Sequence, residues 1–445
     1  MTFNGKIIIG GITCTYELKD YTLIVMSETD KFLGWNTLRS ILDDNDWICL
    51  TDDDENTLQL KIDNIDWLGK RKYCYKVAGY IITYSRYNQT IKKQEVQPFS
   101  FEHVVIRNDI LDYFFKHDKT YTQSAAMLLH TWDIEQEEDI PSCNRPSYSI
   151  LINELEYTLK FHVMIEGADT PFPYRINNAM DISGKLSNSA EELWNIVKTM
   201  RQFLKFISQS PSVNFDTDIR VYCGNDINNA STCLYLRPEK EYTIYPKRIL
   251  EYSHLKNGVG DLINLIGSNK IYFRSLFGVD ADYITYSDIM NVCAAFESQY
   301  FSLYCDFKDT KQSTIKRKMI KFITNNVDSF TEDELPYYND ILTGFRNFRD
   351  SLKQRLENAL SEFEEIYGDE YIKYDFEMNY QDMPTRIKDA RNALDHGNLN
   401  HTLNYNTYWD SELLRAITYM LILKQTHLSK KDIKSCLRKL SKFAV

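Results

Sequence analysis

Apolar residues recur along the chain with two different periods, and the change from one to the other divides it. The first roughly 180 residues read mainly as strands. Lys6–Ile9, Tyr21–Met26, Thr57–Asp63 and Val77–Tyr84 are short and rich in β-branched and aromatic residues. Thr57–Asp63 also alternates apolar with polar, as a half-buried strand does. The apolar run Tyr148–Ile165 fits either a hairpin or one long bent strand. Acidic turns separate the strands, at Asp52–Glu55 and Glu135–Asp139. Solvated loops explain these turns better than metal sites do. An antiparallel sheet, open or sandwiched, is the expected architecture.

The period then lengthens. Leu193, Ile196, Val197, Met200, Phe203, Leu204 and Ile207 stand three and four apart, predicting a helix over 191–207 with Ser189 as its N-cap. Strand-like segments return at Ile219–Cys223 and Cys233–Leu236, and from about Ile249 the chain reads as helical. Six helices are expected near the end, over 286–305, 311–327, 339–366, 382–396, 410–427 and 430–440. The third would be roughly 40 Å long. Pro384 sits in the first turn of the fourth and Gly397 just past its end. Short links between them predict an antiparallel bundle. The fold class is therefore α+β: a β-rich region over 1–280, with helices near 190–207 and 249–276, followed by a helical bundle over 281–445.

Composition narrows the class. A 43% hydrophobic and 26% charged share suits an ordinary globular chain. The formal charge of −11 argues against coating nucleic acid by bulk charge, so any such contact needs a local basic patch. Nine scattered cysteines without a C-x-x-C pair speak against a disulfide framework or a cysteine zinc site. No signal-peptide pattern and no apolar run of membrane-spanning length is present, which predicts a cytoplasmic protein without membrane contact.

Candidate chemistry lies in Arg391-Asn392-Ala393-Leu394-Asp395-His396-Gly397. Asn392 and His396 are four apart and share a helix face. Arg391 and His396 are five apart, about 140° around an ideal helix, so meeting at one phosphate needs a wrapped Arg or a loosened last turn. Gly397 favours the second. The helix C-terminus favours a protonated imidazole. A plainer reading stands beside this one: Arg391 and Asp395 as a surface i,i+4 ion pair, with His396 inert. An R-x(4–6)-H pattern arises by chance roughly once in such a chain, as Arg248–His254 illustrates. Requiring Asn after Arg lowers that expectation below about 0.1.

Arg391, Asn392 and His396, within a helical bundle that follows a β-rich region, resemble the ApeA family of anti-phage HEPN ribonucleases. The resemblance implies a metal-independent, cofactor-free endoribonuclease of abortive-infection defence, acting on structured RNA such as tRNA. The ribose 2′-OH would attack the neighbouring phosphate, leaving a 2′,3′-cyclic phosphate and a 5′-OH. His396 would move the proton, Arg391 would stabilise phosphoryl charge, and Asn392 would orient the His or hold an oxygen. It also implies a homodimer through the bundle and an N-terminal module that restrains the nuclease until a phage-derived trigger arrives. Lys316, Arg317, Lys318 and Lys321 are the expected RNA-binding residues, beside Lys311 and a basic tail of Lys430, Lys431, Lys434, Arg438, Lys439 and Lys442. A solvated helix face accounts for these residues equally well. Two alternative functions are a non-catalytic HEPN scaffold that binds RNA or a protein, and a HEPN toxin held by a separate antitoxin.

Overall fold

The computed structural model describes residues 1–29, 33–68, 71–88, 93–95, 99–115, 147–167, 174–215, 219–223, 232–273, 276–277, 285–304, 311–347, 351–376, 379–395 and 405–440. The acidic turn Glu135–Asp139 lies outside them. The chain divides into two compact units, Met1–Ser268 and Asn269–Val445. The sequence reading draws the division at 280/281.

The first unit is built on a twelve-stranded sheet whose pairings are all antiparallel. Its early strands are β1 (Thr2–Ile9), β2 (Ile12–Lys19), β3 (Thr22–Ser27), β4 (Trp47–Thr51), β5 (Thr57–Trp67) and β6 (Lys72–Thr83). One edge of β6 pairs with β5 along its length. Its other edge takes β3 over Lys72–Lys76 and a later strand, Thr232–Leu236, over Gly79–Thr83. The β-rich half curls until β4 approaches β1: Asp53 N donates to Asn4 O at 2.9 Å, and the Tyr16 hydroxyl donates to Thr51 O at 2.8 Å. Leu58, Leu60 and Ile62 are buried while Gln59 and Lys61 between them are not, which is the alternation expected of that strand.

The second arm of the sheet runs Thr232–Leu236, Ile219–Tyr222, Phe101–Arg107, Tyr174–Ser187, Leu155–Gly167, Tyr148–Ile152. The run from Tyr148 is a hairpin, not one bent strand. Asn153 and Glu154 both take positive φ, 47° and 69°, as a two-residue type I′ turn requires. The helix Ala190–Ser208 lies in this unit, and Ser189 Oγ accepts from Glu192 N as its cap. Phe203 from that helix meets Phe114 edge to face at 5.9 Å, and Phe114 in turn meets Phe161 and Tyr252. Gly79 on β6 faces Trp194 of this helix. A Cβ there would stand 2.6 Å from the Trp194 indole and 2.7 Å from Tyr235 O. A last helix, Gly258–Gly267, is tied to the hairpin: Asn264 Oδ1 accepts from Leu151 N at 2.6 Å.

The second unit is helical. Its elements are α1 (Tyr286–Tyr304), α2 (Lys311–Asn325), α3 (Leu335–Asn347), α4 (Leu352–Tyr367), α5 (Asp369–Phe376), α6 (Met383–Asp395), α7 (Tyr405–Lys424) and α8 (Lys430–Leu440). Together with the sheet they make the expected α+β chain. The single long helix expected over 339–366 is two, α3 and α4. Ser351 leaves the helix (φ −62°, ψ 155°) and its Oγ accepts from Gln354 N, while Gln354 Oε1 accepts from Ser351 N. This reciprocal cap restarts the chain as α4. Helix α7 is buried on nearly every side, as a central helix must be. α6 packs against three neighbours: α1, α4 and α7.

Candidate active site

Helix α6 carries Arg391 and Asn392 on its last turns. Ile387 and Ala390 are buried and hold the helix to its neighbours, which leaves Arg391 between core and surface. Arg391 Nη2 stands 3.2 Å from Glu297 Oε2 on α1, and Nε stands 3.7 Å from Asp395 Oδ2. The other oxygen of Glu297 receives Arg355 Nη2 from α4. The Arg355 guanidinium also lies over the Phe301 ring, 4.7 Å from its centroid. One carboxylate, 18% exposed, therefore joins three helices through two guanidiniums. Burial falls outward along this chain of charge: the Arg355 side chain is 8% exposed and that of Arg391 is 30% exposed.

One turn before Glu297, Cys293 is fully buried. Burial pushes its thiol up to about 12, with Arg391 acting in the opposite direction and Glu297 and Asp395 adding to the rise. It stays a thiol at neutral pH and offers no nucleophile. Below Arg391, Arg386 makes a two-pronged bond to Asp410 on α7, Nε to Oδ2 and Nη2 to Oδ1, both at 2.7 Å. Arg386 also donates to Asn379 O at 2.9 Å. The Asp410 carboxylate raises the Arg386 guanidinium further above its ordinary value. This pair fixes α6 against the central helix.

The i,i+4 pair of Arg391 with Asp395 is present, but it is the longer and more exposed of the two contacts Arg391 makes with carboxylates. Asn392 is exposed on the same turn. His396 and Gly397 lie outside the described residues, as does Lys442. The Arg248–His254 match falls in the first unit, with Arg248 in a 3-10 turn whose guanidinium covers the Tyr245 ring at 4.5 Å.

Arg317, Lys318 and Lys321 are exposed on α2; the Lys316 side chain is outside the described residues. α2 packs on α3, whereas α6 packs on α1, α4 and α7, so the structure does not bring these basic residues into the Arg391 cluster. In the tail, Lys430 pairs with Glu365, and Lys434 and Arg438 lie over the Tyr371 ring at 5.3 and 4.5 Å. Among the described residues no three His, Cys, Asp or Glu side chains gather in a way that could hold a metal ion. No helix among them is long and apolar enough to cross a membrane.

Sequence reasoning did not single out Glu297, Arg355, Arg386 or Asp410. A signal existed for the first two. Glu297 falls four residues after Cys293 and three before Tyr300, within a stripe that is otherwise apolar. Arg355 sits likewise between Leu352 and Leu356.

Residues 290–432, from within α1 to the start of α8, match the family model for Apea-like HEPN. The matched segment lies within the C-terminal unit and is similar to an Apea-like HEPN domain. The match spans Glu297, Arg355, Arg386, Arg391, Asn392, His396 and Asp410, so the whole charge cluster lies within the matched segment. No curated protein and no solved structure matches the chain.

Proposed function

We propose that this chain is a metal-independent HEPN endoribonuclease of anti-phage abortive infection, cutting structured RNA such as tRNA. The observation that carries the reading is the Glu297–Arg391 tie within the matched domain. A half-buried guanidinium held by a mostly buried carboxylate has its orientation set before substrate arrives. Donors fixed in advance are what a phosphoryl group gaining charge requires. Arg391 would bind the non-bridging oxygens. Asn392, exposed beside it, would hold an oxygen or steer the imidazole of His396.

In the reaction, the 2′-oxygen forms a bond to phosphorus as its proton passes to an imidazole. The bond from phosphorus to the 5′-oxygen breaks, and that oxygen takes a proton from a second imidazole. The products are a 2′,3′-cyclic phosphate and a 5′-OH. Base and acid stand at opposite ends of an in-line path, so one His396 per copy calls for two copies: a homodimer through the helical domain. Lys316, Arg317, Lys318 and Lys321 would draw RNA toward an otherwise acidic protein. The β-rich module would keep the nuclease quiet until a phage-derived trigger binds, with regulation assigned to 1–280 and catalysis to 281–445.

The ion pairs of Arg391 also suit a non-catalytic scaffold, in which they merely hold helices together. One comparison separates the two readings. Wild type, Arg391→Ala and His396→Ala are incubated with total RNA in EDTA and, in parallel, expressed in cells to follow growth arrest. A nuclease loses on the order of 100-fold or more in cleavage with either substitution. Cleavage should also stop when a 2′-deoxynucleotide replaces the residue at the cut. If all three proteins behave alike both in the tube and in cells, the scaffold reading stands and the nuclease reading falls.

A further inference from the structure

Within the second unit, α2 and α3 form a helical hairpin that packs on itself. Ile320, Ile323, Tyr338 and Leu342 are the less exposed residues that mark the inner faces, and the Tyr338 hydroxyl donates to Ile323 O at 3.4 Å. The outer surface is unusual. Ile315, Met319 and Phe322 on α2 and Tyr337 and Ile341 on α3 are all exposed, Phe322 to 67% and Tyr337 to 72%. No other helix of the second unit exposes as many among the described residues; α5 and α7 expose one each, Tyr371 and Tyr405.

Helical geometry shows that these five residues form one patch. At about 100° per residue, the Ile315–Met319–Phe322 stripe lies roughly 110° from the inner face of α2. The Tyr337–Ile341 stripe lies roughly 110° from the inner face of α3, in the same angular sense. The connection between the helices is short, so they run antiparallel, and equal offsets in antiparallel helices come out on the same side. The hairpin thus has one continuous apolar side. Large exposed apolar patches rimmed by polar groups mark docking surfaces.

Charge says what docks there. α2 contains no acidic residue and exposes Arg317, Lys318 and Lys321, whereas α3 and its lead-in expose Glu332, Asp333, Glu334 and Asp340. Lys318 borders the apolar side on the α2 edge and Asp340 borders it on the α3 edge. Such a surface complements itself when turned over by a two-fold axis parallel to the helices, which lays α2 of one copy on α3 of the other. The perpendicular two-fold would lay α2 on α2 and set like charges together.

We propose that the apolar side of the α2–α3 hairpin binds the same side of a second copy of this chain, with Lys318 of each copy facing Asp340 of the other. The contact uses α2 and α3 rather than α6, takes Lys318 into the interface and leaves Arg317 and Lys321 to RNA, so the hairpin variants test it separately from the dimer that the nuclease reading requires.

The full-length chain is studied by sedimentation equilibrium. Wild type should dimerise. Phe322→Asp, which changes an exposed side chain and leaves the hairpin's inner face intact, should weaken the dimer by at least about tenfold. Lys318→Glu and Asp340→Lys should each weaken it alone, because each homodimer then repeats a like-charge contact. An equimolar mixture of the two should regain tighter association, since both contacts in the mixed dimer are again opposite in sign. This mixture also decides the matter if Phe322→Asp fails to fold. A wild type that is monomeric at every concentration, variants that associate as wild type does, or a mixture no tighter than its components would each overturn the proposal.

Discussion

The two units bury different kinds of side chain. Among the described residues, the buried charged side chains of the first unit come to Asp52 alone, among Tyr73, Tyr75, Phe101, Phe114, Phe203 and Phe206. In the second they are Arg355, Asp375, Asp410 and Arg415. Apolar burial dominates in the sheet unit, where ion pairs such as Lys205–Glu239 lie nearer the surface of the core, and shape decides which strand meets which. Ion pairs in a core add little net stability, because desolvation offsets much of their attraction, but breaking one is costly. The helical unit therefore uses its interior charges to fix helix against helix: α1, α4 and α6 through Glu297, and α6 and α7 through Arg386. The domain with the candidate chemistry is the one whose core is organised by charge.

This contrast can be broken from either side, with hydrogen exchange reporting each unit separately. Phe203→Ala should give the largest effect, about 4 kcal/mol, confined to the sheet unit, through lost burial and the cavity left behind. A loss shared equally by both units would deny that they are separate. Arg386→Ala should come next, about 3 kcal/mol in the helical unit, because it strands a carboxylate that is 0% exposed. Arg386→Lys should recover only part of this, since an ammonium cannot make the two-pronged contact. If the alanine variant is as stable as wild type, the pair holds nothing.

The smallest effect is one of pH. The folded Cys293 thiol titrates near 12, above its ordinary value of 9.0, so between the two the unfolded chain has released a proton that the folded chain keeps. Its contribution is complete below pH 9 and is lost as pH rises toward 12, by about 1 kcal/mol per pH unit. Cys293→Ala should flatten the alkaline decline of the helical unit by that amount; an unchanged slope between pH 9 and 11 would show that the thiol is not buried as described.

Much of the fold could be read from periodicity because each long element obeys one period throughout. The helix over 190–208 announced both its apolar face and its Ser189 cap. The join between α3 and α4 was hidden by the same rule, since spacings of three and four continue from Ile341 to Ile366 across the break. The Ser-x-x-Gln at 351–354 was the sign that the chain restarts there. At the site, Arg391 and Asn392 stand out because their motif is local. Glu297 and Arg355 do not, because 58 residues separate them and only tertiary packing makes them partners. The exposed hairpin patch also looks like core in sequence: its spacing matches a buried stripe, and periodicity alone does not tell which apolar face is covered.

Gly79 has a consequence for how the first unit tolerates change. With the Trp194 indole occupying the space where a side chain would stand, helix 190–208 is indexed to the sheet like a ratchet pawl seated in a single notch. Lengthening the Asn188–Ser189 approach by one residue would rotate the indole out of that notch, so variation in this protein should accumulate at the tips of its strands and leave that short run at constant length.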